Sequence, residues 1–284
     1  MFDPDWLTAL QRQGTQPPLR ARLPLLLNGV VVGSVEDAFF SHLVSPVCAA
    51  ASALPPGLLA RTVVDGVTVW QLRSDQATQA LNQLALALRT AGLGGVAQRW
   101  RDEQLAVTDA AGTVLASIER GAVRALGLAT HAVHLLAANG EGKMWIQQRA
   151  FNKPTDPGRW DTLMGGMVPA SDTATTALAR ETWEEAGLRM DQLQDLRWGG
   201  ELRMCKPDAP APGDSAERAD MTGTGVGYIV ERVDWYRALL PDPVVPHNQD
   251  GEVAQFACVD AQQLRTMLQQ GQFTTEAALL LVQW

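Results

Sequence analysis

The chain has 284 residues, 46% hydrophobic and 19% charged, with a formal net charge of -8. That composition excludes a disordered chain and suits one large or two modest domains. The acidic balance, without any Lys/Arg-rich run, argues against a nucleic-acid polymer as partner and makes phosphate handling depend on added cations.

Residues 3–13 read as a short surface helix. Two acids and a proline among the first five residues fit neither a signal nor a transit peptide. Asn28-Gly29 and Asp65-Gly66, each between apolar runs, predict two β-hairpins. The uncharged Pro/Ala stretch between them is expected to be irregular, and Pro46, Pro55 and Pro56 break it as a membrane span. Leu81, Leu84 and Leu88 at helical spacing predict a helix over 75–92, stopped by Gly92. Residues 104–120 read as a third hairpin, turning at Asp109 to Gly112. These first 125 residues make an α+β unit with no visible catalytic constellation. They could shape a pocket, supply a homodimer surface or cap a sheet.

From His131 the chain predicts two strands joined by a loop around Asn139 to Gly142. Residues 157–166 give a turn, a short strand and the Gly165-Gly166 pair; 174–188 give a helix ending at Gly187. A strand over 196–204 precedes a Pro/Gly/Ala-rich loop over 206–224, longer than most connections. Residues 225–240 read as an extended pair or one long strand, and 248–260 as a turn plus strand. A helix and a final helix or apolar segment follow. Mixed strands and helices around one sheet give α+β or an αβα sandwich, with a boundary near 125–130. His131 and His134 point to opposite faces of a strand and are poorly placed for joint ligation. Trp145 or Trp160 could stack on a ring, although such residues more often serve the core. Cys48, Cys205 and Cys258 form no CxxC pair, so no disulfide framework or zinc site is expected. Cys205 and Cys258 read as small buried hydrophobes. A soluble, reducing, cytoplasmic setting fits.

The segment that bears chemistry runs from Gly166 to Leu188. On a helix, Glu181, Glu184 and Glu185 stand at i, i+3 and i+4 and share one face. Like charges at these spacings repel, so such a helix needs a cation among them. Hard oxygen ligands of this kind suit Mg2+ or Mn2+. Gly165-Gly166 lets the backbone approach a ligand.

This segment resembles the Nudix box, G-x5-E-x7-R-E-U-x-E-E-x-G-U with U apolar, through Gly166, Arg180, Glu181, Glu184, Glu185 and Gly187. It departs at Asp172, where the family has Glu preceded by Gly, and at Thr182, an apolar position in the family. The resemblance implies an α+β fold: an N-terminal α+β domain over 1–125, then a Nudix αβα sandwich with mixed sheet over 126–284. It also implies a metal-dependent hydrolase of a small-molecule diphosphate. Glu181, Glu184 and Glu185 would be the metal ligands, with a backbone carbonyl of the Gly166 region. One of the glutamates could instead be the general base. Arg180 would hold a ligand carboxylate in place. Glu252 is a candidate extra ligand or base, or else a turn acid. Arg149 and Lys153 could hold the diphosphate or the leaving phosphate, or else serve solubility.

Trp145, Arg149, Lys153, Pro157-Gly158 and Asp161, with upstream runs at 100–103 and 118–120, are similar to one subgroup. It comprises the Nudix domain of fungal thiamine pyrophosphokinases and relatives with an extra N-terminal domain. That likeness points to thiamine diphosphate or its analogues, cut to the monophosphate. ADP-ribose, a dinucleotide or a coenzyme A diphosphate is the alternative within the class. A non-catalytic Nudix-fold regulator is the alternative outside it.

Overall fold

Asn28 and Asp65 adopt φ of 51° and 50°, and Gly29 and Gly66 follow at 87° and 79°. These left-handed pairs match the two-residue turns that suit the twist of a hairpin. They set β1 (Arg22–Leu27) against β2 (Val30–Glu36), and β3 (Leu59–Val64) against β4 (Val67–Leu72). β1 and β4 run parallel, giving a four-stranded sheet in the order β2-β1-β4-β3. This is a computed structural model, and it describes residues 2–153, 155–208 and 227–284. Most of the loop expected over 206–224 lies outside the described residues.

The stretch between the hairpins is not irregular. It holds two short helices, Asp37–Leu43 and Pro46–Ser52. Pro46 opens the second one, where its missing N–H is not needed, behind Ser45, whose Oγ accepts from Cys48 N at 3.4 Å. The helix Ala77–Thr90 forms as expected. It puts Leu81, Leu84 and Leu88 into one core with Leu25, Trp70 and Leu72. β5 (Gln104–Thr108) and β6 (Val114–Glu119) make the third hairpin, and the Asp109 carboxylate accepts the amides of Ala111 and Thr113 in its turn.

The second half supplies β7 (Ala129–Ala138), β8 (Met144–Arg149), β9 (Trp160–Asp161) and β10 (Met164–Met167). It continues with β11 (Gln194–Pro207), β12 (Tyr228–Leu239) and β13 (Val253–Val259). The sheet order is β11-β12-β7-β8-β13, with β10 on β7 and β9 on β8. β12 is one continuous strand, parallel to β7. Side chains alternate along a strand, and β7 shows it. Val133, Leu135 and Ala137 share a core with Ala177 and Leu178 of the helix Ala174–Ala186. Ala132 and Leu136 pack with Leu10 of the helix Pro4–Gly14 and Leu280 of the helix Thr275–Leu281. The sheet is thus covered by helices on both faces in a mixed α+β sandwich. No helix among the described residues is long and apolar enough to cross a membrane.

The β5–β6 hairpin joins the two halves. Leu105 bridges to Pro169, and Ala170 N donates to Gln104 O at 2.7 Å. Pro169 and Ala170 belong to the connection between β10 and the helix Ala174–Ala186. That connection therefore leans on the first half of the chain.

Leu84 is fully buried in the first core. Leu84→Ala should lower stability by about 2–5 kcal/mol, read from the urea midpoint at constant slope. An unchanged midpoint would show that this helix does not hold the core together.

Candidate active site

Thr173 Oγ1 accepts from Thr176 N at 3.2 Å to start the glutamate helix, and Gly187 ends it with φ 63°. Ala177, Leu178 and Ala186 bury one side of this helix. Glu181, Glu184 and Glu185 thereby come to line a cleft of about 390 Å³. Arg180, Gly166, Arg149, Lys153 and Glu252 line the same cleft. All eight side chains or backbone positions singled out from the sequence meet in one place.

The cation among the glutamates is Arg180. Its Nη1 lies 2.8 Å from Glu184 Oε2 and 3.0 Å from Glu181 Oε1, and its Nε donates to Asp172 Oδ2 at 3.1 Å. Three carboxylates raise the Arg180 pKa despite its burial. Asp172 reaches Arg180 although it is one methylene shorter than the family's glutamate. Glu185 is almost wholly buried; its Oε2 accepts from Gln147 Nε2 at 2.8 Å and Gly165 N at 3.1 Å. Burial nevertheless pushes its pKa up. Burial and then Glu185 raise the Glu181 pKa to about 7. Gly165 and Gly166 make room for the protein's own side chains. A Cβ on Gly166 would lie 2.1 Å from Glu181 Cδ, and one on Gly165 would lie 2.3 Å from His134 Cε1.

Across the cleft, Lys153 Nζ bonds Glu252 and lies 3.9 Å from Glu185 Oε1. Burial raises the Glu252 pKa, but Lys153 outweighs it and holds the carboxyl below its usual range. Arg149 pairs with Asp161 at 3.3 Å and donates to Thr155 O at 3.0 Å.

The donor chemistry fits a hard divalent cation, because the cluster is all oxygen and one member is short of compensation. Among the described residues no three acid, histidine or cysteine side chains stand converged enough to hold an ion as they are. Glu184 is drawn to Arg180 and Glu185 to Gln147. To hold a cation together, at least one of these carboxylates would have to leave its present partner.

The two histidines do part to different surroundings. His131 Nε2 lies 2.9 Å from Asp234 Oδ2. His134 is buried, and its Nδ1 is 2.8 Å from Thr162 Oγ1, which itself donates to Met164 O. Nδ1 must then be the donor. Nε2 faces Glu276 Oε1 at 3.0 Å. Burial would lower the His134 pKa, but Glu276, Asp161 and Glu231 outweigh it and raise it to about 9. Trp145 and Trp160 pack against the two cores of the sandwich. The three cysteines are free and only partly buried.

Sequence reasoning missed one wall of the cleft. Arg99, Arg101, Glu103, Arg120 and Arg124 also line it, so the first 125 residues contribute side chains to the cleft wall. The runs at 100–103 and 118–120 were the only signal. They meet because β5 and β6 fold back, where Glu119 accepts from Arg101 N at 2.8 Å.

The NUDIX domain family model matches residues 128–279, more than half of the chain. This chain belongs to the Nudix family. Nudix hydrolase 24, chloroplastic, of Arabidopsis thaliana is 28% identical over 177 residues, 58% of this chain and 42% of that protein. Nudix hydrolase 20, chloroplastic, of the same plant is 25% identical over 222 residues, 74% of this chain and 53% of that protein. The Nudix chain spans about half the length of the curated relatives it matches. The crystal structure of DR0079 from Deinococcus radiodurans aligns with a TM-score of 0.47 at 19% identity, covering 63% of this chain and 97% of that one.

The raised Glu181 pKa has a consequence for stability. Between the ordinary value of 4.5 and about 7, the folded metal-free protein binds a proton that the unfolded chain releases. Stability from this group is present below pH 4.5 and lost as pH rises through 7. Metal-free wild type should lose urea stability relative to Glu181→Gln between pH 5 and 8. Parallel profiles would rule out the raised pKa.

Proposed function

We propose that this Nudix protein hydrolyses the diphosphate linkage of a small molecule, using water and a divalent cation, Mg2+ or Mn2+. The observation that carries this reading is a single cleft in which three glutamates of one helix stand with Arg149 and Lys153. Glu181, Glu184, Glu185 and the carbonyl of the Gly166 region would hold the cation. When bound, it neutralises phosphate oxygens and makes water a stronger nucleophile.

The chain's own residues do the rest. Arg180 stays anchored on Asp172 while Glu184 turns towards the cleft. Lys153, now shared by Glu252 and Glu185, takes an entering phosphate oxygen instead, which releases Glu252 as an extra ligand or base. Arg149 holds a second phosphate oxygen from its station on Asp161 and Thr155. These steps place the diphosphate between the acidic helix and the cationic ends of Lys153 and Arg149.

The finer reading is thiamine diphosphate or an analogue, cut to the monophosphate. It is supported by the likeness of Trp145, Arg149, Lys153, Pro157-Gly158 and Asp161 to that subgroup. A division at 1–125 and 126–284 belongs to the same reading. It is supported by the family match at 128–279 and by the 222-residue alignment with Nudix hydrolase 20, which is longer than that match. Three free cysteines support a reducing, cytoplasmic setting.

Incubating purified protein with Mg2+ and thiamine, ADP-ribose, dinucleotide and coenzyme A diphosphates should release a monophosphate from at least one. Glu184→Gln and Glu185→Gln should each lower turnover by about 10²-fold or more while circular dichroism stays native. Ligand binding without turnover in wild type would favour a regulator over an enzyme. Gly166→Ala pushes the Glu181 carboxylate aside and should weaken Mg2+ affinity about tenfold in calorimetry. Unaltered affinity would remove Glu181 from the ligand set.

A further inference from the structure

Eight lysines and arginines line the cleft, and Arg99, Arg101, Arg120 and Arg124 among them precede the family-matched stretch 128–279. All four come from one small piece of the first half: the helix Val96–Arg99, the chain leading into β5, and the turn Arg120–Ala122 with the residues after it. Buried Glu119 ties this piece together, accepting from Arg101 N at 2.8 Å and Gly121 N at 3.1 Å.

The piece is fastened to the catalytic half on two sides. Gln104 O accepts from Ala170 N at 2.7 Å, four residues before the glutamate helix begins, and Arg124 O accepts from Tyr228 N at 2.8 Å. The arginines and the glutamate helix are therefore held in fixed relation by a few rigid links. Such anchoring is what a binding wall needs.

Its arginines are not all held in ion pairs. Arg99 and Arg124 share Asp208, at 2.6 and 2.9 Å, and Arg120 pairs with Glu103 at 2.7 Å. Among the described residues Arg101 has no carboxylate partner. Its Nη1 donates to the carbonyls of Trp100 at 2.9 Å and Gln98 at 3.4 Å, and the side chain is exposed. The four guanidinium groups thus share two ion-pair partners, with Glu231 acting on Arg124 and Glu252 on Arg120 from across the cleft, and Arg101 is left without one. A guanidinium without an ion-pair partner beside three that have one can take an anion, and the planar guanidinium fork suits phosphate oxygens.

We propose that the N-terminal unit is part of the active site, and that Arg101 and Arg120 bind the phosphate of the substrate that lies away from the glutamate helix. This rests on the hydrolase reading and deepens it. The substrate is then one compact molecule. Its two phosphates are divided between the acidic helix and the arginine wall, in a cleft near the small end of the roughly 300–1,000 Å³ range of ligand pockets.

Calorimetry with methylenediphosphonate, whose bridge cannot be hydrolysed, tests this in the presence of Mg2+. Wild type should bind it. Arg101→Ala and Arg120→Ala should weaken binding about tenfold or more, and Arg101→Lys should recover part of the loss. Mg2+ affinity and melting temperature of Arg101→Ala should match wild type, since that side chain makes no ion pair. With the substrate found above, Arg101→Ala should raise KM and leave kcat nearly unchanged. Wild-type affinity in both alanine variants would overturn the arginine wall and leave the hydrolase reading standing. Failure of wild type itself to bind the diphosphonate, with no turnover of any diphosphate, would overturn both.

Discussion

Glu181, Glu184 and Glu185 repel one another across little more than one helical turn, and two of them are largely withdrawn from water. An unpaired carboxylate in such a place costs several kcal/mol. Much of the second half is arranged to meet that cost. β8 sends Gln147 to Glu185, β10 adds the amide of Gly165, and Arg180 spans Asp172, Glu181 and Glu184. The glycine pair leaves space that Glu181 and His134 fill. The helix is therefore tolerable without a metal ion, because an arginine already stands among the carboxylates. Compensation is least complete at Glu181, where burial and then Glu185 outweigh Arg180 and push its pKa up to about 7.

The same bookkeeping extends to the cleft as a whole. The chain carries 23 lysines and arginines and is net acidic. Eight of the 23 line this one cleft, opposite ten aspartates and glutamates. An acidic protein that handles phosphate need not rely on bound cations alone. It can gather its own basic side chains at the point of use and remain acidic elsewhere. The near balance of charge also explains how so many ionisable groups can share one depression without unfolding it. Most are paired, as Arg149 is with Asp161, Lys153 with Glu252 and His134 with Glu276.

Local signals were the legible ones. Asn28-Gly29 and Asp65-Gly66 fixed their hairpins because the turn needs positive φ and these residues supply it cheaply. The glutamate helix was legible because spacing alone puts its three acids on one face. The helices Asp37–Leu43 and Pro46–Ser52 were not legible because each is about two turns long, too short for a periodicity to show, although Pro46 stands where a helix accepts it. The parallel pairing of β7 with β12 and the packing of Leu10 beside Leu280 depend on residues about a hundred or more positions apart, and no periodicity announces them. The arginine wall was hidden for the same reason. The runs at 100–103 and 118–120 carry a family likeness, but only the pairing of β5 with β6 brings Arg101 and Arg120 to one cleft.

The two departures from the Nudix box bear on whether the helix keeps its chemistry. Asp172 still reaches Arg180, so the shorter acid is absorbed by the loop that carries it. Thr182 is fully buried, and its hydroxyl has no partner among the described residues. A buried hydroxyl left unpaired costs about 1–3 kcal/mol, and a valine of similar shape would avoid that. The change therefore weakens the packing side of the helix and leaves the acidic side alone. Glu185 points the same way. Holding a carboxylate at 2% exposure demands Gln147 and the Gly165 amide, where an apolar residue would pack without either. A helix that serves only to hold the sandwich together would be more stable with Thr182 apolar and Glu185 neutral. This one is built the other way round, with stability yielded where it packs and charge kept where it faces the cleft.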